Sequence, residues 1–127
     1  MITGGNVTIF VSNMDDAVKF YSETLGLRLR ERYGDHWASV EVNGLVIGLH
    51  PASAQSPAGQ RGSMSIGFAA DRPIEEVVET LAKRGVQFDG SIVDDKAGKF
   101  ISFRDADGTS CYVFETRPEY AQPGRNR

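Results

Sequence analysis

The chain carries the same pattern of residues twice, at an offset of 59 residues. Each copy begins with alternating apolar residues, continues with a polar residue and an apolar stripe at helical spacing, and ends at a glycine. The matching pairs keep register throughout and are Asn6 and Ser65, Val7 and Ile66, Ile9 and Phe68, Val18 and Val77, and Gly26 and Gly85. The repeat therefore predicts two copies of one strand–helix unit.

The composition indicates one soluble globular domain. At 127 residues and 13.9 kDa the chain is too short for two independent hydrophobic cores, so we expect the repeat to lie within a single domain. The net charge of −3 and the scattered Lys and Arg residues argue against nucleic acid and anionic membranes as partners. A single cysteine, no signal-peptide pattern and no membrane-spanning apolar run predict a cytoplasmic protein without internal disulfides.

The first copy extends into a βαβββ module. Its strand, helix and three further strands are predicted at residues 6–11, 13–26, 27–32, 37–42 and 45–50. Asn13 is a good N-cap, because its side-chain oxygen can accept from an amide of the first turn, and Gly26 suits a left-handed C-terminal position. The Asn43-Gly44 pair predicts a two-residue hairpin turn between the last two strands, and this turn sets Ser39 opposite Gly48.

The second copy predicts the same order of elements. Its helix has Asp71 as N-cap and Pro73 near its first position. Its strands are predicted at residues 65–70, 86–88, 100–104 and 111–116. We expect one domain over residues 1–127, divided into module one at about 3–50, a linker rich in Pro, Ala and Ser at 51–62, module two at about 63–116 and a tail at 117–127.

The sequence predicts two tandem βαβββ modules. FYSETLGL closes the first helix, and DADG forms the turn before the last strand. This combination resembles the vicinal oxygen chelate superfamily. This superfamily includes glyoxalase I, extradiol dioxygenases and bleomycin resistance proteins. The resemblance covers roughly Thr3 to Glu115. It implies an α+β fold in which the two modules form an open, cup-shaped mixed sheet around a small organic ligand. It also implies a homodimer.

In metal-dependent members, the resemblance implies one divalent cation bound by His, Glu or Gln side chains from the first and last strands of each module. The matching positions here are Asn6, Gly48, Ser65 and Tyr112. Gly48 has no side chain, and amide and hydroxyl oxygens are weak ligands beside imidazole, carboxylate or thiolate. We therefore expect no metal, no other cofactor and no catalytic residue at these positions.

A ligand face follows from the strand alternation, which separates side chains under the helices from those on the opposite side of each sheet. The candidate ligand-binding residues are Asn6, Thr8, Phe10, Trp37, Ser39, Gly48, His50, Ser65, Tyr112 and Phe114. Their aromatic rings offer stacking area, and their small members leave volume that suits a flat or aromatic organic ligand. The competing interpretation is that the rings simply fill a core, and the glycine and serine positions argue against it.

Three arginines add charge to one sheet face. Leu27 and Leu29 are assigned to the helix side of the strand, which leaves Arg28, Arg30 and Arg32 on the face that carries Glu41, its one clear carboxylate. The excess of positive charge on this face argues mildly against a strongly cationic ligand. His50 lies too far from Glu41 along the strands for the two to act as a general base and its partner.

The first hypothesis for function is a metal-independent small-molecule binding protein that sequesters a ligand such as an antibiotic. A second hypothesis is a metal-dependent glyoxalase-like lyase or isomerase, or an extradiol-type dioxygenase. It requires a shifted strand alignment, and the fifth strand, SMSIGF, offers no good metal ligand in either register. A third is a metal-free enzyme in which His50 or Tyr112 acts as acid or base. The sequence favours the first hypothesis and leaves the others open.

Overall fold

The computed structural model describes residues 1, 6–59, 65–96 and 98–116. These residues form β1 (Val7–Val11), α1 (Met14–Lys19), β2 (Arg28–Tyr33), β3 (Trp37–Val42), β4 (Leu45–Pro51), β5 (Ile66–Ala69), α2 (Ile74–Lys83), β6 (Phe88–Asp94), β7 (Gly98–Arg104) and β8 (Ser110–Thr116). A π-helical turn at Phe20–Thr24 extends α1. No helix within these ranges has the length and apolar character needed to cross a membrane. The predicted tail at 117–127, the linker end at 60–62 and the module starts at 3–5 and 63–64 lie outside the described residues.

Two four-stranded mixed sheets form the framework. Their strand orders are β1-β4-β3-β2 and β5-β8-β7-β6, so each repeat builds one open sheet. In each sheet the first and last strands of the repeat pair in parallel, and the other neighbours pair antiparallel. A parallel pair needs a long crossover, which the helix and the two intervening strands supply. This arrangement confirms the predicted α+β fold of two tandem βαβββ modules.

By its contacts the chain divides into two compact units. The first contains Met1–Arg61 together with Asp105–Thr109, and the second contains Gly62–Arg104 and Ser110–Arg127. The division follows the repeat except at the DADG turn. This turn lies in sequence between β7 and β8 but belongs to the first unit.

The first unit buries one apolar layer between α1 and its sheet. The buried members are Ile9, Val11, Met14, Ala17, Val18, Ala38, Val40, Ile47 and Leu49. Those on strands occupy alternate positions, as the period of two requires. Asn13 caps α1 by accepting from the Asp16 amide at 2.9 Å, and Gly26 adopts φ +83° after the π-helical turn. Both predictions for the helix ends are confirmed.

The second unit has an equivalent apolar layer but a different helix cap. Its buried members are Ile66, Ile74, Leu81, Val86, Ile101, Phe103, Cys111 and Val113. The predicted Asp71 cap is wrong, because Pro73 occupies the N-cap position. The Asp71 carboxylate instead accepts from Arg72 at 2.9 Å, which lowers the pKa of Asp71. The first helical amide, that of Ile74, donates to Glu115 of β8 at 2.8 Å, so a carboxylate from the sheet caps the helix.

The β6 strand starts later and runs further than predicted. The sequence predicts a strand at 86–88, whereas β6 is Phe88–Asp94. The Asp89-Gly90 pair reads as a turn, but the register of β6 shifts between Asp89 and Val93, and Gly90 adopts φ +81° within the irregularity. Asp89 and Gly90 therefore form part of a bulge within β6 rather than a turn that ends the strand.

A hydrogen bond between the FYSETLGL and DADG motifs anchors the turn in the first unit. Tyr21 is 0% exposed, and its hydroxyl donates to Asp105 Oδ2 at 2.8 Å. Asp105 Oδ1 accepts from the amides of Asp107 at 2.9 Å and Thr109 at 2.8 Å, which closes the turn. The Ser12 hydroxyl and amide donate to the Asp107 carboxylate, the amide at 3.1 Å. The turn is thus fixed at the junction between β1 and α1.

Tyr21→Phe is expected to lower the free energy of unfolding by about 2 kcal/mol, because it removes only the hydroxyl that donates to the buried Asp105 carboxylate. Urea denaturation measures the loss. Tyr33→Phe is the matched control, since Tyr33 is 62% exposed, and it should change stability by less than about 0.5 kcal/mol. Equal effects of the two substitutions would contradict a structural role for the bond between Tyr21 and Asp105.

Candidate ligand-binding face

One row of residues crosses the first sheet on the side opposite α1. From β1 to β2 the paired residues of this row are Thr8, Gly48, Ser39 and Glu31. The pairing of Ser39 with Gly48 confirms the register predicted from the Asn43-Gly44 turn. Those two turn residues have φ of +44° and +88°, as a two-residue type I′ hairpin requires.

Trp37 covers this row. A Cβ placed on Gly48 would lie 2.2 Å from Trp37 Cη2 and 3.0 Å from Cζ2 and Cζ3, so the benzene edge of the indole rests against the bare glycine backbone. At the other edge, Trp37 Nε1 donates to Glu31 Oε1 at 3.1 Å. The ring therefore lies across β3, with one edge on β4 and the other held from β2.

Phe10 and His50 lie further along the same face. They are partners in the register of β1 and β4, and their ring centroids are 5.8 Å apart in an edge-to-face arrangement. His50 Nδ1 lies 2.9 Å from the carbonyl oxygen of Pro51. Because a carbonyl only accepts, Nδ1 is the donor, and Nε2 of the neutral ring is an acceptor. Asn6 is exposed and lies directly before β1.

The second sheet repeats the aromatic cover with Tyr112. A Cβ placed on Gly67 would lie 2.4 Å from Tyr112 Cζ and 2.6 Å from its hydroxyl oxygen, so the phenol ring covers this glycine. Tyr112 is edge-to-face with Phe100 at 6.5 Å and tilted against Phe114 at 5.8 Å. Ser65 is exposed and lies directly before β5. Three of the predicted ligand residues, Ser65, Tyr112 and Phe114, thus belong to the second unit, and the others belong to the first.

The glycines on these faces do not leave open volume. The expectation that Gly48 opens space for a ligand is wrong, because the Trp37 ring fills that space. The Tyr112 ring does the same at Gly67. The small residues instead allow aromatic rings to lie close against the backbone. Both rings are half-buried.

A bulge in β2 changes the direction of its side chains. The register shifts between Leu29 and Glu31, so one extra residue enters the strand and every later side chain changes face. The prediction that Arg28, Arg30 and Arg32 share one face is therefore wrong.

Arg28 and Arg32 form ion pairs on opposite faces of the sheet. Arg28 forms an ion pair with Glu41, which lies opposite it on β3. Arg32 donates to Asp15 of α1 at 2.6 Å and to Asp35 at 3.1 Å, and the hydrogen bond to Asp15 raises the pKa of Arg32. These pairs are partly exposed and add little to stability. They do place Arg32 on the helix side, away from the ligand face.

Glu31 is the candidate site residue that the sequence prediction misses. Its carboxylate lies on the ligand face and accepts from Trp37 Nε1 at 3.1 Å, the Tyr33 hydroxyl at 3.2 Å and the Ser39 hydroxyl at 3.5 Å. The expectation that Glu41 is the one clear carboxylate here is wrong, so the charge argument against a cationic ligand loses its basis. The only signal in the sequence is the end of the Leu-Arg alternation in LRLRERY.

Comparison with known proteins agrees with this fold. The family model of the Glyoxalase/Bleomycin resistance protein/Dioxygenase superfamily matches residues 5–111. The chain belongs to this superfamily. No curated protein sequence matches it significantly.

Solved structures with a similar fold cover most of the chain. TnmS3, an antibiotic binding protein from Streptomyces sp. CB03234, is 24% identical, with a TM-score of 0.77 over 92% of this chain and 98% of that one. A glyoxalase/bleomycin resistance protein/dioxygenase from Nocardioides is 22% identical, with a TM-score of 0.73 over 98% and 89%. Lactoylglutathione lyase from Agrobacterium tumefaciens is 17% identical, with a TM-score of 0.71 over 91% and 94%. At these identities the likeness shows the fold.

The residues at the expected metal positions do not fit a divalent cation. Trp37 covers Gly48, which has no side chain. The other three positions hold the Asn6 amide and the Ser65 and Tyr112 hydroxyls. Amide and hydroxyl groups are not the imidazole, carboxylate or thiolate donors that catalytic divalent metals need. In the described part of the chain, no three His, Cys, Asp or Glu side chains are placed to share a metal ion.

Gly48→Ala is expected to displace the Trp37 ring, because the new methyl group would lie 2.2 Å from Cη2. Trp37 is the only tryptophan of the chain, so its emission maximum should shift to longer wavelength as the ring enters water. Gly67→Ala is the matched control, since it displaces Tyr112 in the same way and should leave tryptophan emission unchanged. Unchanged emission in Gly48→Ala would show that Trp37 does not rest on residue 48.

Proposed function

We propose that the protein is a metal-independent binding protein for a flat or aromatic organic molecule, such as an antibiotic. In this proposal it sequesters the ligand in the cytoplasm and acts as a homodimer. The observation that carries the proposal is the Trp37 platform, which we define as the indole of Trp37 held against Gly48 on the first sheet. Sites for small organic ligands commonly combine such aromatic area with a few directed polar groups.

The Trp37 platform supplies the parts that a planar ligand needs. The indole is half-buried, and in this proposal the part of the ring that does not rest on Gly48 stacks on the ligand. Thr8 and Nε2 of His50 offer hydrogen-bonding groups on the same face. Phe10 adds a second ring beside His50. Stacking would supply affinity, and the polar groups would fix the ligand's orientation.

The donor chemistry supports binding rather than metal-dependent catalysis. The four residues that match the family's metal positions are Asn6, Gly48, Ser65 and Tyr112, and they lack a competent set of ligands. The similar structures include both an antibiotic binding protein and a lactoylglutathione lyase, so the fold by itself favours neither function. The side chains of this chain favour the first.

The direct test is a titration of chelator-treated protein with a panel of planar aromatic antibiotics, followed through the fluorescence of Trp37. We expect saturable quenching by at least one compound, with the same affinity before and after chelation. Metal analysis of the purified protein accompanies the titration. A stoichiometric transition metal whose removal abolishes binding would contradict the proposal. Conversion of a bound compound by the chelated protein would favour a metal-free enzyme instead.

Trp37→Ala is expected to weaken ligand binding at least tenfold, about 1.4 kcal/mol, because buried tryptophan contacts often dominate binding energy. Isothermal titration calorimetry measures the change, since this variant lacks the fluorophore. Leu29→Ala is the matched control. Leu29 pairs with Val40 on the opposite face of the same sheet and is 40% exposed, so affinity should stay unchanged. Wild-type affinity in Trp37→Ala would exclude the platform as the binding surface.

A further inference from the structure

The bulge in β2 turns one carboxylate toward the ligand face. Without the register shift, alternation after Leu29 would place Glu31 on the helix side of the sheet, where Arg32 now binds Asp15. Bulges often re-aim a single side chain next to a site. Here the re-aimed side chain reaches the only tryptophan of the chain, Trp37.

The Glu31 carboxylate accepts hydrogen bonds from neutral groups rather than from a cation. Oε1 accepts from Trp37 Nε1 at 3.1 Å and from Ser39 Oγ at 3.5 Å, and Oε2 accepts from the Tyr33 hydroxyl at 3.2 Å. The ion pairs found among residues 6–59, 65–96 and 98–116 do not include Glu31. Glu31 is exposed, and its carboxylate is the acceptor of the indole N–H.

Two contacts at opposite edges define where the Trp37 ring lies. Gly48 lets the benzene edge approach the backbone, but contact at one edge leaves the side chain able to turn about its two rotatable bonds. The hydrogen bond to Glu31 at the N–H edge selects one of these orientations. Both Glu31 and Gly48 are therefore needed to hold the ring across β3.

We propose that Glu31 is a positioning residue that fixes Trp37 in the orientation used for stacking on a ligand. Fixing a binding group before the ligand arrives reduces the entropy lost on binding, so the ordered ring binds more tightly than a mobile one. The consequence for ligand affinity rests on the proposed function. The orientation of the ring is a property of the protein alone and is tested without any ligand.

The test compares three variants through the emission maximum and steady-state anisotropy of Trp37. In Glu31→Ala the emission maximum should move to longer wavelength and the anisotropy should fall, because a ring that is no longer held at its N–H edge is more mobile and more exposed to water. Glu31→Gln keeps a side-chain oxygen at the same position and should stay close to the unmodified protein. Glu23→Ala, at an exposed glutamate of the π-helical turn, is the matched control and should change neither quantity. Wild-type emission and anisotropy in Glu31→Ala would overturn the proposal.

Hydrogen exchange in the unmodified protein gives a second test that does not depend on the folding of a variant. The proton on Trp37 Nε1 should exchange with solvent more slowly than that of a free indole, because Glu31 accepts it. Exchange at the rate of a free indole would overturn the positioning role.

Ligand titration separates this proposal from the proposed function. With a compound that binds the unmodified protein, Glu31→Ala should weaken binding by roughly two- to tenfold, the range expected for ordering one side chain. If no compound binds but Glu31→Ala still shifts the emission, the binding function fails and the positioning of the ring remains. If Glu31→Ala binds with full affinity and unchanged emission, the positioning role fails and the binding function remains.

Discussion

The hydrogen bond from Tyr21 to Asp105 joins segments that are 84 residues apart in sequence, and the architecture of the first unit depends on it. One carboxylate satisfies three donors, since its second oxygen accepts from the amides of Asp107 and Thr109. A buried carboxylate is costly unless its oxygens are bonded, so the turn and the tyrosine stabilise each other. The FYSETLGL and DADG motifs are thus two halves of one interaction.

The two repeats share backbone pairing but not the placement of their side chains. In the first sheet the covered glycine lies on β4 and the covering ring comes from β3, whereas in the second sheet the glycine lies on β5 and the ring comes from β8. The central pairs are Ser39 with Gly48 and Ser102 with Tyr112. The strand order is therefore the same in both sheets, while the covered glycine and the covering ring come from different strands in each.

Features set by neighbouring residues could be predicted from the sequence. The Asn13 cap, the Gly26 stop and the Asn43-Gly44 hairpin depend on a few adjacent residues, and the structure confirms them. The Asp71 cap is wrong because the competing acceptor, Glu115, comes from a distant strand. No local pattern contains that information.

Part of the candidate site could likewise be predicted from the sequence, and part of it could not. Alternation and the hairpin register place Ser39 and Gly48 on one face, as the structure shows. Alternation gives the side of the sheet but not the sideways lean of a long side chain, so it could not show that Trp37 fills the space above Gly48. The β2 bulge then brings Glu31 onto the face, and bulges depend on how two strands fit together rather than on the residues of one.

The Trp37 platform and a metal ligand at residue 48 exclude each other. Residue 48 matches a metal position of the superfamily, and even the Cβ of any side chain placed there would meet the indole at 2.2 Å. A carboxylate or imidazole at this position would have to displace the ring that Glu31 holds from the other edge. The lack of a metal donor at residue 48 and the presence of the aromatic surface above it therefore both follow from Gly48. A single substitution at residue 48 cannot introduce a metal donor without displacing the Trp37 ring.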